Sequence, residues 1–548
     1  IRLGRISLGC SWAALTAICA WLCRIPPRKA VRAPQVQPAT KRWRENGILW
    51  LPLLPALAVV AYRAGAQPLF GVDTSFRWNF LAQQMFDHGT LAFYPPVTGA
   101  DYEIYAWPDG IAPAVSSLYF ALYLLAGATR PTLTAPVVVF QFIALLGVVH
   151  ALAKRDFSTR AAAFACALVA ASPVVLWSAG MGQESALIAI AVLAMLRYLP
   201  RDATETSGAP FVIAGLAAGL AGLAREYGIL FSGLGLGLCL ARRLPRRGVL
   251  LFATAAAIAI IPWYFRNWIR TGNPVFSLSV ANFFPVNRVH EWLQQSYTAE
   301  YGWQNLAPGA GQILLTNGAL ALLLGGVGAA LYFRAARASI LVAVTTIAIW
   351  AASVAYTAAG FTYSLRALTP ALALAAVLGG AAAASWVPSH RYLGGAAIAL
   401  SLLATDAALR ALTLPANVYR LPPKAWLNVG RSVIDYHARS IYPEIVRVAG
   451  KRRILTLGPT ALLSRCGGHT LPLWSPEVDF LFDEQSTPAA IANRLLAANI
   501  GFILLNQGSV NERLLAHSSF FREPAGTLRH IWSDEDMVLL GVNSPAPP

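Results

Sequence analysis

The 548-residue sequence predicts an all-α polytopic membrane bundle of about 11–13 spanning helices, followed by a small α/β domain. Three observations carry that expectation. Many windows exceed the roughly 18 apolar residues needed to cross a hydrocarbon core. Charged residues make up 12% of the chain, against about 25% in ordinary soluble domains. After residue 410 the composition shifts to that of a soluble domain. Barrel-type alternation is absent, so helices do the spanning.

Net charge is +18, from 43 Lys and Arg against 25 Asp and Glu. The basic clusters are short and sit between apolar runs, as at Arg242–Arg247 and at Arg334 and Arg337. They fit the cytoplasmic loops of a membrane protein, and no nucleic-acid surface is expected. Five of the six cysteines lie in apolar stretches, Cys466 is alone, and no Cys/His metal spacing occurs.

The elements follow in order. Ile6 to Leu22 is apolar after Arg2 and Arg5 and is read as an extra helix rather than a signal segment. A basic linker covers Arg24 to Arg44, so residues 1–46 form an N-terminal helix and cytoplasmic linker. The unit 47–410 is the transmembrane domain. Its first helix, about 47–65, exits into an outer loop, about 66–110, rich in aromatics, Asp and Pro. Further spans are expected at about 111–128, 133–152, 161–178, 185–199, 211–224, 228–241, 248–265, 311–333, 338–358, 367–387 and 392–410, with a second outer loop at about 266–310. Gly215 and Gly219 have the spacing that lets helices approach closely. One parity conflict arises. An outward exit at Gly65 and an inward Lys154–Arg155 require an odd number of crossings, and two apparent helices lie between them. Residues 411–548 form the extracytoplasmic domain, with strands at Lys451–Gly458, Ile500–Leu505 and Met537–Gly541 and a helix at Pro488–Ala498. It lacks a Gly-rich phosphate loop, so no nucleotide or organic cofactor is expected.

The chemistry concentrates at the outer loops. Asp73 lies just beyond the first helix, in Asp73-Thr-Ser-Phe-Arg77. A carboxylate at the rim of a membrane-embedded protein is costly, so it marks a functional site by default. It is suited to accept a proton, bind a metal or meet a lipid phosphate. Asp109 is a candidate second carboxylate; its place before an apolar helix also suits an N-cap. Arg77 and Glu103 are candidate substrate contacts, although Asp101 and Glu103 also suit a solvated loop face. The string Pro262-Trp263-Tyr264-Phe-Arg266-Asn267-Trp-Ile-Arg270-Thr-Gly-Asn273-Pro274 combines aromatics with arginines. Trp263, Tyr264 and Asn273 are substrate candidates; Arg266 and Asn267 are phosphate candidates, since Arg offers phosphate a fork of donors. A generic interfacial aromatic belt is the plainer account of the string. Arg225-Glu226 can be a simple ion pair, and Tyr363-Ser-Leu-Arg366 offers Tyr363 and Arg366 to an interfacial phosphate. Gln183-Glu184 either joins the same mouth or caps a helix.

At these residues the chain resembles the GT-C-type glycosyltransferases, the polyprenyl-phosphate-sugar enzymes related to protein O-mannosyltransferases and aminoarabinose transferases. The likeness rests on Asp73 after the first core helix, on the Pro262–Pro274 string, and on Arg366 before a Pro-containing helix, and covers about residues 47–410. The resemblance implies transfer of a sugar from a polyprenyl phosphate to a glycan, lipid or protein acceptor, outside a bacterial inner membrane. It implies inversion, with Asp73 as general base, and Arg366, Arg225 and Arg266 stabilising the departing phosphate. It also implies a divalent cation, Mg or Mn, held by Asp73 and Asp109. A lipid-linked sugar transporter, a polysaccharide polymerase or ligase, and a non-catalytic scaffold are the alternatives. No two-fold repeat of the transporter kind is present.

Overall fold

The computed structural model describes residues 47–66, 68–69, 73–204, 207–276, 278–280, 282–301, 326, 328, 333–353, 364–387, 392–413, 441–458, 460–524, 526–534 and 537–544. The N-terminal unit 1–46, most of the span expected at 311–333, and Tyr363 lie outside them.

A short 3-10 turn, Gly47–Trp50, leads into α1 (Leu53–Ala66). Beyond it a π turn, Thr74–Trp78, runs into α2 (Asn79–His88), which ends at Gly89 in the left-handed conformation. The outer loop carries α3 (Gly99–Ile104), opened by a capping box between Thr98 and Asp101. There follow α4 (Ala114–Ala126), α5 (Ala135–Asp156), α6 (Thr159–Ala170), α7 (Pro173–Gly180), α8 (Glu184–Tyr198), α9 (Ala209–Ala224), α10 (Ile229–Ala241), α11 (Arg246–Thr271), α12 (Arg288–Tyr301), α13 (Arg337–Ser353), α14 (Thr369–Trp386) and α15 (Leu393–Thr413). Among the described residues five helical stretches are long and apolar enough to cross a membrane: Gly47–Ala66, Pro131–Asp156, Arg246–Thr271, Leu365–Trp386 and Leu393–Leu412. The pair α6–α7 makes a sixth, bent by 72°. The bend falls at Ser172-Pro173, where proline disfavours helix in the residue before it and the Ser172 hydroxyl caps α7. The chain is an integral membrane protein.

The parity conflict resolves at α4. Its 13 residues rise only about 20 Å, short of a hydrocarbon core of about 30 Å. Both its ends meet the outer loop. Asp109, just before it, pairs with Arg77, and Gln83 on α2 donates to the Thr129 carbonyl just after it. Between Gly65 and Lys154 only α5 remains to cross.

The helices give the bundle two unlike ends. At one, Arg155 donates to the Arg197 carbonyl, Arg201 pairs with Asp156, and Arg242 donates to the Pro200 carbonyl. At the other lie the π turn, the start of α8, the α9–α10 tip and the start of α14. The close approach of α9 to α11 rests on Gly215 and Gly219. A Cβ at Gly215 would come within 2.3 Å of the Phe252 carbonyl oxygen, and one at Gly219 within 2.5 Å of Ala259.

The C-terminal domain runs α16 (Tyr442–Ala449), β1 (Arg453–Leu457), α17 (Thr460–Arg465), β2 (Thr470–Pro472), α18 (Pro488–Ala497), β3 (Ile500–Asn506), α19 (Ser509–Leu515), α20 (Ser519–Arg522), β4 (Leu528–Ser533) and β5 (Met537–Val542). Its sheet has the order β2-β1-β3-β5-β4, with β1 parallel to β2 and β3, and β5 antiparallel to β3 and β4. Its core takes in Tyr102, Val289 and Leu293 from the two outer loops, so loops and domain pack as one layer over the bundle.

Candidate active site

The π turn aims the first charged residues. A π turn inserts one extra residue in the helical winding and re-aims side chains, a device common at functional sites. Here it begins directly after Asp73. The Asp73 carboxylate meets Arg366 Nη2 at 2.8 Å and Arg77 Nη1 at 3.9 Å. Arg77 Nε in turn lies 2.7 Å from Asp109 Oδ2. Asp109 Oδ1 accepts the Tyr94 hydroxyl at 2.8 Å and the Tyr105 hydroxyl at 3.4 Å. Two acids and two arginines thus alternate: Arg366, Asp73, Arg77, Asp109.

A second layer holds Arg366. Its guanidinium donates to Gln183 Oε1 and lies 3.7 Å from Glu184 Oε1. Gln183 Nε2 donates to the Thr74 hydroxyl, which donates to the Met181 carbonyl, each at 2.8 Å. The turn presenting Gln183 and Glu184 needs Gly182. Its φ is +65°, and a Cβ there would lie 2.4 Å from the Tyr119 hydroxyl oxygen. At the α9–α10 tip Arg225 pairs with Glu226 at 3.1 Å and lies over the Trp78 ring. Trp78 closes the π turn that carries Arg77, which places the tip beside the cluster.

Burial sets the charges. It pushes the Asp109 carboxyl above the usual carboxylate range, while Arg77 and the Tyr94 hydroxyl favour its charged form. Burial also opposes the Arg77 charge, but Asp109 and Asp73 outweigh it and hold that proton more tightly than usual.

The Pro262–Pro274 string braces the cluster rather than joining it. Trp263 Nε1 and Asn267 Nδ2 both donate to the Gly110 carbonyl, at 2.9 and 2.7 Å. The Gly110 amide donates to the Phe276 carbonyl at 2.7 Å, so the residue beside Asp109 is held from three directions. Tyr264 donates to the Gly222 carbonyl near the α9–α10 tip. Arg266 donates to the Leu91 carbonyl and lies over Trp263. Asn273 donates to the Leu278 and Pro285 carbonyls and shapes its own loop. Glu103 stands apart, paired with Arg453 of the C-terminal domain at 2.7 Å. Asp109 is no helix cap, since α4 opens at Pro113.

Sequence reading left out Thr74, Tyr94, Tyr105, Trp107, His290 and Trp474. Trp107 packs against Trp474 at 5.0 Å, and its ring centre lies 5.6 Å from the Arg77 guanidinium carbon. His290 is buried edge-on to Trp474. The one available signal was the density of aromatics around Asp109.

Among the described residues no three His, Cys, Asp or Glu gather as a metal site. Asp73 faces Arg366 and Arg77, and Asp109 faces Arg77. With cations already at both carboxylates, this donor set does not fit a divalent ion while the pairs stand.

No family model matches the chain, and no curated protein matches it by sequence. Solved structures do match. ArnT from Cupriavidus metallidurans bound to undecaprenyl phosphate aligns over 92% of this chain and 99% of its own, at 14% identity and TM-score 0.53. The same protein in the apo state gives 0.55. The Archaeoglobus fulgidus oligosaccharyltransferase, in complex with zinc and sulfate, aligns over 83% of this chain and 68% of its own, at 15% identity and TM-score 0.51. The arabinofuranosyltransferase AftD from Mycobacteria aligns over 93% of this chain and 42% of its own, at 14% identity and TM-score 0.51. The chain has the GT-C glycosyltransferase fold. In the GT-C frame the Asp73 cluster lies at the bundle end covered by the outer loops and the α/β layer.

Proposed function

We propose that this protein is a membrane glycosyltransferase. It moves a sugar from a polyprenyl-phosphate carrier to an acceptor hydroxyl, with inversion, on the outer side of a bacterial inner membrane. The observation that carries this reading is the meeting of Asp73 and Arg366, 293 positions apart in sequence, at one end of the bundle. The GT-C fold supports it, as does the presence of undecaprenyl phosphate on ArnT, which shares that fold.

The geometry suggests an exchange of partners. Arg366 holds Asp73 in the absence of donor, and a phosphate competes for the same fork of donors. Arg366 and Arg225 take the phosphate, and the Asp73 carboxylate becomes free to act as base. Asp73 then removes the acceptor hydroxyl proton. The acceptor oxygen attacks the anomeric carbon from the face opposite the phosphate, and the carbon–oxygen bond to the phosphate breaks. The electron pair leaves on the phosphate oxygen, where guanidinium groups stabilise it in a site poor in water. Asp109, tied to Tyr94, keeps Arg77 on the other flank of Asp73. Every step uses the chain's own residues.

Transfer of radiolabelled sugar from a polyprenyl-phosphate donor by the purified protein tests this. Asp73→Asn keeps the shape but cannot take a proton, and the rate is expected to fall at least about a hundredfold, the usual share of a general base. An Asp73→Asn protein with full activity excludes Asp73 as base. Tolerance of Asp73→Ala in cells would favour a scaffold.

A further inference from the structure

One route from the C-terminal α/β domain to the charged cluster runs through Trp474, beside the contact of Arg465 with Gln83. Trp474 follows β2 and is 1% exposed. Its indole N–H donates to the Ala106 carbonyl, three residues before Asp109. Its ring packs against Trp107 at 5.0 Å between centroids, with planes tilted by 32°. Trp107 packs on its other neighbour, Phe76, at 4.9 Å, and lies 5.6 Å from the Arg77 guanidinium carbon. Its backbone is fixed too, since Asn287 Nδ2 donates to the Trp474 carbonyl at 2.8 Å. The series Trp474, Trp107, Arg77 thus ends on the guanidinium that separates Asp73 from Asp109.

We propose that Trp474 is a positioning residue: through Trp107 and the Ala106 carbonyl, the α/β domain sets the Arg77 guanidinium between Asp73 and Asp109. The physical reasons are specific. Trp107 belongs to a loop and not to a helix, so side-chain packing, against Phe76 on one side and Trp474 on the other, holds its plane. A guanidinium near an aromatic ring gains a cation–π attraction that falls off as the ring moves away. An aromatic pair gains about 0.5–1.5 kcal/mol beyond the area it buries, which favours one arrangement of the two rings. The role bears on transfer only if the transferase reading holds, and the test has an arm independent of that reading.

The full-length protein in nanodiscs is compared as wild type, Trp474→Ala and Trp474→Phe. In the first arm amide hydrogen exchange is followed in the loop 105–111 and in β3. Trp474→Ala is expected to speed exchange in the loop by about tenfold or more while β3 keeps its protection. In the second arm transfer is measured. The kcat of Trp474→Ala is expected to fall by about tenfold or more, with the donor KM held within about threefold, because misplacement of a site by about an ångström costs rate rather than binding. Trp474→Phe, which keeps a stacking face, is expected to recover most of the rate. Unchanged exchange in 105–111, equal loosening of loop and sheet, or Phe as poor as Ala each overturn the proposal. If the wild type transfers no sugar, the transferase reading fails, and the exchange arm alone decides whether Trp474 orders the loop.

Discussion

His290 shows how much a single residue's surroundings matter. It sits on α12 against Trp474, and burial, aided by the Arg77 charge, pushes its pKa from 6.5 down to about 3. The native ring therefore stays neutral while the unfolded one takes a proton below pH 6.5. The burial costs nothing above pH 6.5, and below it stability falls as pH drops towards 3, at up to about 1.4 kcal/mol per pH unit. His290→Gln is expected to flatten the acid limb of thermal stability between pH 6.5 and 3, as read from melting in detergent at stepped pH. Nothing in the sequence marked His290. Its setting comes from Trp474 and Arg77, each far from it in the chain. Asp73 was legible because a lone acid at a membrane rim is conspicuous. Arg366 was legible too, as a phosphate candidate without an acid beside it; its direct ion pairs with Asp73 and Glu184 were not, because they exist only in space.

At the scale of elements, apolar length placed the helices well, since crossing a bilayer imposes length directly. It misjudged α4, whose 13 residues are apolar enough to resemble a crossing but begin and end against the same loop, through Asp109 with Arg77 and Gln83 with Thr129. In the α/β domain the buried strands β1, β3 and β5 were visible as apolar runs. The strands β2, three residues long, and β4, with Arg529, His530 and Ser533 on a largely open edge, were not. The string from Pro262 to Pro274 was noticed for its chemistry, and its hydrogen bonds show a brace. Removing that brace is expected to slow the reaction while sparing the fold. Asn267→Ala leaves the Gly110 carbonyl with Trp263 alone and is expected to lower kcat severalfold. Asn267→Ala with Trp263→Phe removes both donors, about 0.5–1.5 kcal/mol each, and is expected to lower it further than the product of the two single effects. Steady-state transfer kinetics check both.

For the whole molecule, the two unlike ends make a topological prediction. In a background without native cysteines, Glu512→Cys in the α/β domain is expected to react with a membrane-impermeant maleimide on intact spheroplasts. Arg247→Cys at the basic end is expected to react only after lysis. The reverse pattern would put the Asp73 cluster on the cytoplasmic side. Chelation gives a second check at this scale. With guanidinium groups at both carboxylates, excess EDTA is expected to leave transfer within about twofold of its untreated rate, and a full loss restored by Mg or Mn would show that the ion pairs open to admit a metal.

The hairpin of α9 and α10 carries a last consequence. Its arms of 16 and 13 residues reach about 24 and 20 Å, less than a hydrocarbon core of about 30 Å. Lipid beside them must dimple to cover their ends, which draws headgroups down toward Arg225. A carrier lipid diffusing in that leaflet would find its phosphate lowered to the depth of the guanidinium groups by the shape of the bilayer itself.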